Sequence, residues 1–390
     1  MRANLLHTPD GVRDLYGDEL SLKRSTEEMI HKLFMSYGYQ EIQTPTFEYF
    51  DMFSSKIGTT ASKELYKFFD KEGDTLVLRP DFTPSIARCA AKYYRDETIP
   101  VRFAYRGSAF INSNLLQGKL KETTQMGVEL IGDSSVQADA EMIGLCVQAL
   151  LDAGLTQFQI SIGNVEFMKG LCEEAGLDEE TEALLRDAIS IKNFFGAAEL
   201  LKNAGCSEYF IETLMKLSEM YDASSLDVWE NTQLNARSLS AIQRLKELHK
   251  VLDLMGVSTY VSYDLGMVSK YHYYTGMIFK AYTYGVGDAI VKGGRYDSLL
   301  ATFDKDAPAT GFVILIDDLA TALKYAGLHV EEAPVTMLLY AEADLTAAIT
   351  KADEMRRSGM RVAMTSYSDA DAEKQMQEAF KKNGYQVVVL

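Results

Sequence analysis

The sequence predicts an α+β protein: helices and strands mixed in the first third, a mostly helical middle, a run of antiparallel strands, and a small α/β unit at the C-terminus. Three observations predict it. Strand-like runs joined by short turns crowd residues 258–316. Residues 136–255 are mostly helical pieces broken by glycines. After "EEAP" (331–334) the pattern changes to strand, helix, strand, helix, strand.

Taken in order, "RSTEEMIHKLFMSYGY" (24–39) places Met29, Ile30, Leu33, Phe34 and Tyr37 on one face at helical spacing, and Gly38 stops the run. "QEIQTPTFEYFDMF" is extended around Pro45, and "DTLVLRPDFTPSIARCAAKYY" is a strand, a proline-marked turn and a helix. Within the helical block, "TQFQISIGN" (156–164) is the one clear strand. "STYVSYDLGM", "MIFKAYTYG", "DAIVKGG" and "TGFVILI" then return to strands. The tail, residues 334–390, carries "VTMLLYA", "DLTAAITKADEMRRSG", "MRVAMTS" and "YQVVVL" as its alternating elements.

Composition narrows the class. A chain of 390 residues supports two or three cores, and a hydrophobic content of 47% with 24% charged residues is that of a soluble globular protein. No apolar run approaches the roughly 18 residues of a membrane span, and no secretory pattern opens the chain, so a cytoplasmic protein is expected. Four cysteines without a CxxC pair are expected as buried free thiols. Five scattered histidines form no HxxxH pair, so no metal site and no cofactor are expected. Net charge is −17, which argues against a broad nucleic-acid footprint, because phosphates are neutralised by lysine and arginine clusters.

Several residues could carry chemistry. "LRPDFT" (78–83) sets Asp81 and Thr83 on a turn at a strand end. "TQMGVELIG" (124–132) alternates, so Gln125 and Glu129 share one strand face. A carboxylate on an otherwise apolar inner face is costly without a donor or cation; a structural arginine is one partner that would satisfy Glu129. "HYYTG" (272–276) and "GGRYD" (293–297) add phenols and glycines, and a phenol offers a flat wall with a hydrogen-bonding tip. Asp317 and Asp318 close the apolar run "GFVILIDDL".

In series, these segments resemble the catalytic domain of class II histidyl-tRNA synthetases. The resemblance runs through "TPDGVRDLYGDEL", "GYQEIQTPTFEY" of the first motif, "LRPDFT", and "AYRGSAF" with "QGKLKETTQMGVE" of the second. "DLGMVSKYHYYTG", "GGRYD" and the third motif "PATGFVILIDDL" complete it. It covers about residues 1–325, with the helical insertion at about 170–255, and it implies a six- or seven-stranded antiparallel sheet flanked by helices, and dimerisation through the first motif. Residues 334–390 resemble a truncated anticodon-binding domain; with seven Lys/Arg against eight Asp/Glu, they form no basic surface for tRNA.

The departures from the family pattern carry the functional reading. Active members read "FRxE" in the second motif, where this chain has "FINS", so Ile111 stands for the arginine and Ser113 for the glutamate. The third motif ends "LIDD" in place of "GIER": Leu315 occupies a glycine position and Asp318 an arginine position. Ser269 replaces the arginine before "YYTG". Three cations that would polarise a triphosphate are gone, and such cations carry the catalysis of phosphate chemistry. The amino-acid positions persist. By resemblance, Asp81 and Gln125 meet an α-ammonium, Glu129 and a tyrosine of Tyr273–Tyr274 meet an imidazole, and Thr83 and Tyr105 line the site. Either Arg106 or Lys270 would receive the carboxylate. A histidine receptor without nucleotide chemistry resembles the regulatory subunits of ATP phosphoribosyltransferase. That resemblance implies histidine as effector, no catalysis of its own, and a homodimer within a hetero-oligomer containing the short-form catalytic subunit. An active histidyl-tRNA ligase and a tRNA-sensing module are the alternatives; retained nucleotide activation would mark the first, a basic stripe the second.

Overall fold

The structure is a computed structural model that describes residues 6–53, 60–113, 120–218, 221–267, 273–329 and 334–390. The chain divides into two compact units, Met1–Leu328 and His329–Leu390.

The first unit opens with α1 (Gly17–Ser36), whose apolar face buries Ile30 and Phe34. The helix ends at Ser36 and Gly38 takes φ +79°, a left-handed value that favours glycine. Tyr37 therefore falls past the last turn and is exposed, not part of the buried stripe that the sequence predicts. Next come β1 (Gln40–Glu41), β2 (Phe47–Tyr49), β3 (Lys67–Phe69), β4 (Thr75–Leu78), α2 (Thr83–Tyr93), β5 (Val101–Phe110), β6 (Glu122–Ile131), α3 (Val136–Asp152) and β7 (Phe158–Asn164). The helical block follows at once as α4 (Val165–Glu174), α5 (Glu179–Ser190), α6 (Phe194–Asn203), α7 (Glu208–Lys216), α8 (Ser224–Glu230) and α9 (Ala236–Leu254). Five of these six begin at an Asn, Asp or Ser whose side chain accepts a backbone N–H of the first turn, which is why so many short helices can be strung together. β8 (Val261–Tyr263), β9 (Met277–Thr283), β10 (Val291–Arg295), β11 (Ala309–Leu315) and α10 (Ile316–Tyr325) complete the unit.

These strands make an eight-stranded sheet in the order β1-β5-β6-β11-β10-β9-β7-β8. The inner six are antiparallel, as expected. Both edges are short parallel strands, which raises the count above the expected six or seven. β8 can pair parallel with β7 because the whole helical block serves as the crossover. A separate three-stranded sheet, β2-β4-β3, lies outside it. One face of the large sheet is a packed core: Met126, Ile314, Val291, Ala281 and Ile160 form a continuous buried row across five strands. The opposite face carries the site.

The second unit consists of β12 (Val335–Ala341), α11 (Leu345–Arg357), β13 (Arg361–Tyr367), α12 (Ala370–Lys382) and β14 (Gln386–Val389). β12 lies between the other two strands, parallel to both, and its Leu338 packs with Ala348 and Ala352 of α11. Among the described residues, no helix is long and apolar enough to cross a membrane.

Candidate functional site

Register defines the floor of the site. Tyr105, Gly127, Val313, Lys292 and Lys280 stand in one row across β5, β6, β11, β10 and β9. Phe103, Glu129, Gly311, Gly294 and Ile278 form the next row on the same face, and Gln125 with Leu315 begins a third. Side chains two apart along a strand share a face, so these rows together shape one surface. Glycines keep it open. A Cβ on Gly311 would collide with Glu129 Oε2, and one on Gly127 with the Tyr105 hydroxyl.

Above this floor is a cavity of about 740 Å³. Glu129 sits at one end, 2% exposed. Its Oε1 accepts a hydrogen bond from Thr83 Oγ1 at 2.7 Å, and its Oε2 accepts one from the Tyr296 hydroxyl. Burial pushes its carboxyl up to about 8; the two hydroxyl donors pull the other way, and the charge of Asp81 adds to the rise. Tyr296 is wholly buried, and desolvation together with the Glu129 charge holds its phenol well above the ordinary value. Tyr273 packs edge-on against the Tyr296 ring (5.7 Å between centroids) and tilts against Tyr274 at 4.9 Å.

The turn before α2 supplies another wall. Asp81 Oδ1 accepts the backbone N–H groups of Phe82 (2.7 Å) and Thr83 (3.3 Å), which fixes the start of the helix. Phe82 stacks on Tyr105 at 4.6 Å with a 20° interplanar angle. Gln125 is 8% exposed and its Oε1 has no hydrogen-bond partner among the described residues. An unpaired buried acceptor is costly, so this oxygen is poised for a donor.

The other end of the cavity has a different chemistry. Ile111, Ser113, Leu120, Leu315, Asp288 and Asp318 line it. Asp317, in the first turn of α10, is committed to the scaffold: Oδ1 accepts from Lys23 Nζ at 2.7 Å and Oδ2 from the Thr124 N–H at 2.6 Å. Lys23 also donates to Thr124 Oγ1 at 2.7 Å, tying α1, β6 and α10 together. A carboxylate in the first turn of a helix is stabilised by the helix dipole as well. The two adjacent acids thus have different work, although the sequence presents them as a pair. Of the described residues lining the cavity, five are acidic (Asp81, Glu129, Asp288, Asp317, Asp318) and two basic (Arg13, Lys292).

The structure brings Asp81, Thr83, Tyr105, Gln125, Glu129, Tyr273 and Tyr274 onto one cavity, with Ile111, Ser113, Leu315 and Asp318 on its walls. Ser269 and Lys270 lie outside the described residues. One residue is added to the set and one expectation changes. The addition is Tyr296, whose hydroxyl donates to Glu129. Alternation along β10 carries the signal for it, since Lys292, Gly294 and position 296 repeat every second residue. Arg106 does not line the cavity. As the neighbour of Tyr105 on a strand it projects to the opposite face, with Nη1 3.9 Å from Glu27 of α1. Of the cysteines, Cys146 and Cys172 are buried, while Cys89 and Cys206 are only half-buried.

A sheet of this topology with a ligand cavity on one face and an inserted helical block defines a class II synthetase-like protein, and residues 11–319 match the family profile described as histidyl-tRNA synthetase. The ATP phosphoribosyltransferase regulatory subunit of Ruminiclostridium cellulolyticum is 41% identical over 92% of this chain and 86% of its own length. That of Clostridium kluyveri is 34% identical over 97% of both chains. A Bacillus halodurans crystal structure described as an ATP phosphoribosyltransferase regulatory subunit/histidyl-tRNA synthetase superposes with TM-score 0.88 at 31% identity, covering 100% of this chain and 99% of that one. A histidyl-tRNA synthetase from a Nostoc species shares the fold alone, with TM-score 0.80 at 19% identity over 97% of this chain and 90% of that one. The chain belongs to the histidyl-tRNA synthetase-like family of ATP phosphoribosyltransferase regulatory subunits.

Proposed function

We propose that this chain is a non-catalytic regulatory subunit that binds histidine and confers activation and feedback inhibition on a short-form ATP phosphoribosyltransferase in the cytoplasm. The observation that carries the reading is the polarity of the cavity. One end keeps a buried carboxyl, two hydroxyls and an unpartnered amide oxygen, a set suited to an imidazole and an ammonium group. The other end offers a triphosphate an isoleucine, a leucine and carboxylates, and the two cations on the walls, Arg13 and Lys292, are each paired with an acid, where transfer chemistry needs converging cations. In this reading Asp81 and Gln125 hold the ammonium group, while Glu129, with Tyr296 behind it, holds the imidazole. The names of the relatives support the catalytic partner.

A homodimer within the hetero-oligomer is part of the same reading. Alternation along the small sheet puts Phe47, Tyr49 and Phe68 on one face, where they are 53%, 60% and 36% exposed, and Phe47 stands beside Phe68 at 5.9 Å. Contiguous exposed aromatic surface marks an association face, and two of these three residues belong to the first motif.

Two measurements test the proposal. The chain should co-purify with a short phosphoribosyltransferase and make it histidine-sensitive. The isolated chain should support neither aminoacylation nor histidine-dependent ATP–pyrophosphate exchange. Exchange above background, or a partner equally inhibited without this chain, overturns the reading.

A further inference from the structure

The sheet face that floors the cavity does not end at Lys292. The row that starts at Tyr105 passes through Lys292 and Lys280 to Ser161 of β7 and Ser262 of β8. Lys280 stands directly opposite Lys292 on one side and Ser161 on the other. Opposed residues on neighbouring antiparallel strands hold their Cβ atoms about 4.5–5.5 Å apart. Lys280, Ser161 and Ser262 are all half-buried. They lie well away from the apolar wall, because β9 is two strands beyond β11, which carries Leu315.

The charges in this region leave one cation over. Lys292 is paired with Asp288 at 3.5 Å, and Lys192, at the junction of α5 and α6, with Asp264 at 2.6 Å. The Lys280 ammonium group has no hydrogen bond or ion pair among the described residues. Burial holds it below the usual lysine value, and Lys292 and Lys192 push the same way against the opposite pull of Asp288 and Asp264. A desolvated cation without a counter-ion is costly. The hydroxyls of Ser161 and Ser262 likewise make no hydrogen bond among the described residues. An ammonium group has three donors and a hydroxyl one, so three adjacent strands present donors with nothing to accept them.

We propose that Lys280, Ser161 and Ser262 form an oxyanion site that takes a phosphate or phosphomonoester group beside the cavity. A phosphomonoester brings about three acceptor oxygens and close to two negative charges at pH 7, enough to meet donors from three strands at once. The site is independent of the Glu129 end, since none of its three residues lines the cavity.

Calorimetric titration of the full chain with inorganic phosphate and with methyl phosphate, at ionic strength matched by sodium chloride, tests this. Lys280→Met is expected to weaken phosphate binding by about tenfold or more, Lys280→Arg to retain it, and Ser161→Ala to weaken it by a smaller factor. Histidine affinity should stay at the wild-type value in all three. Methionine removes an unmatched charge from a half-buried position, so Lys280→Met should melt no lower than the wild type, which separates lost binding from lost structure. Binding of methyl phosphate as well as inorganic phosphate extends the site to esters; binding of inorganic phosphate alone removes them. No heat with either anion, phosphate affinity unchanged in Lys280→Met, or equal loss of phosphate and histidine affinity in that variant overturns the proposal.

Discussion

Substituting Glu129→Gln asks whether the fold holds a carboxyl group against its own chemistry. The side chain is buried and its carboxyl is pushed up from 4.5 to about 8. In the unfolded chain a glutamate titrates near 4.3. Because the folded value is the higher one, the folded state binds the proton more tightly. The stabilisation from this group is whole below about pH 4.5 and is lost as pH rises through about 8. At 1.36 kcal/mol per pKa unit, the linkage integrates to about 2–3 kcal/mol lost between about pH 6 and pH 9. Glutamine cannot ionise, and the Thr83 hydroxyl can reverse to accept from the new amide nitrogen. Urea denaturation of the ligand-free chain across this range should show the wild type losing about 2–3 kcal/mol more than Glu129→Gln. Parallel pH profiles for the two proteins would mean that Glu129 is already ionised in the fold, and the argument from burial would fail.

Four further outcomes follow from the same geometry. Glu129→Ala should weaken histidine binding by up to about one decade near neutral pH, the loss of an uncharged hydrogen bond of roughly 0.5–1.5 kcal/mol; unchanged affinity in calorimetry places the site elsewhere. Asp317→Ala leaves Lys23 buried without its carboxylate and should cost about 3–5 kcal/mol in denaturant melts, whereas the apolar pair Lys23→Met with Asp317→Leu should cost much less. Tyr49→Glu should shift the chain toward monomer in analytical ultracentrifugation, and an unaltered distribution removes this face of the small sheet from the interface. In the assembled complex, phosphoribosyl pyrophosphate should change histidine affinity by the same factor by which histidine changes affinity for that substrate; equal histidine affinities with and without it, beside intact inhibition, rule out equilibrium coupling.

What the sequence made legible follows periodicity. Ile30 and Phe34 stand out at helical spacing and are buried, and Gln125 and Glu129, four apart on an alternating strand, share a face. β1 and β8 fall inside segments that read as extended, but two and three residues are too short for a period to show that they pair parallel at the two edges of the sheet. Tyr296 stood in a segment marked only for its phenol and glycines; its place beside Glu129 depends on the register of β10, which ends one residue before it. Arg106 was drawn toward the site by its neighbour Tyr105, when strand alternation sends adjacent side chains to opposite faces. Asp317 and Asp318 are adjacent in sequence, but the partner that gives Asp317 its role is 294 residues away. Only the fold brings Lys23 there.

The turn that carries Asp81 and Thr83 is clamped from behind by one buried arginine. Arg79 donates from Nε to the Ser108 carbonyl at 2.8 Å and from Nη1 to the carbonyls of Thr44 (2.9 Å) and Pro45 (3.1 Å). Its guanidinium lies 4.0 Å from the centroid of the Phe82 ring, which in turn stacks on Tyr105 in the cavity wall. The same side chain thereby fixes the entry to β2 in the exposed aromatic sheet, the strand β5 and the turn of the cavity. A ligand shifts a conformational equilibrium only by its differential affinity for the two states. For histidine, that difference has to arise where its contacts meet parts able to take a second arrangement. Glu129, on a central strand with both oxygens engaged, is a poor place for it. The 80–83 turn is a better one, because any displacement that brings Asp81 and Thr83 toward a ligand must be transmitted through Arg79 to the segment entering the aromatic sheet. Feedback in such a subunit would then run through the first motif, the same segment that the exposed aromatic residues mark for association.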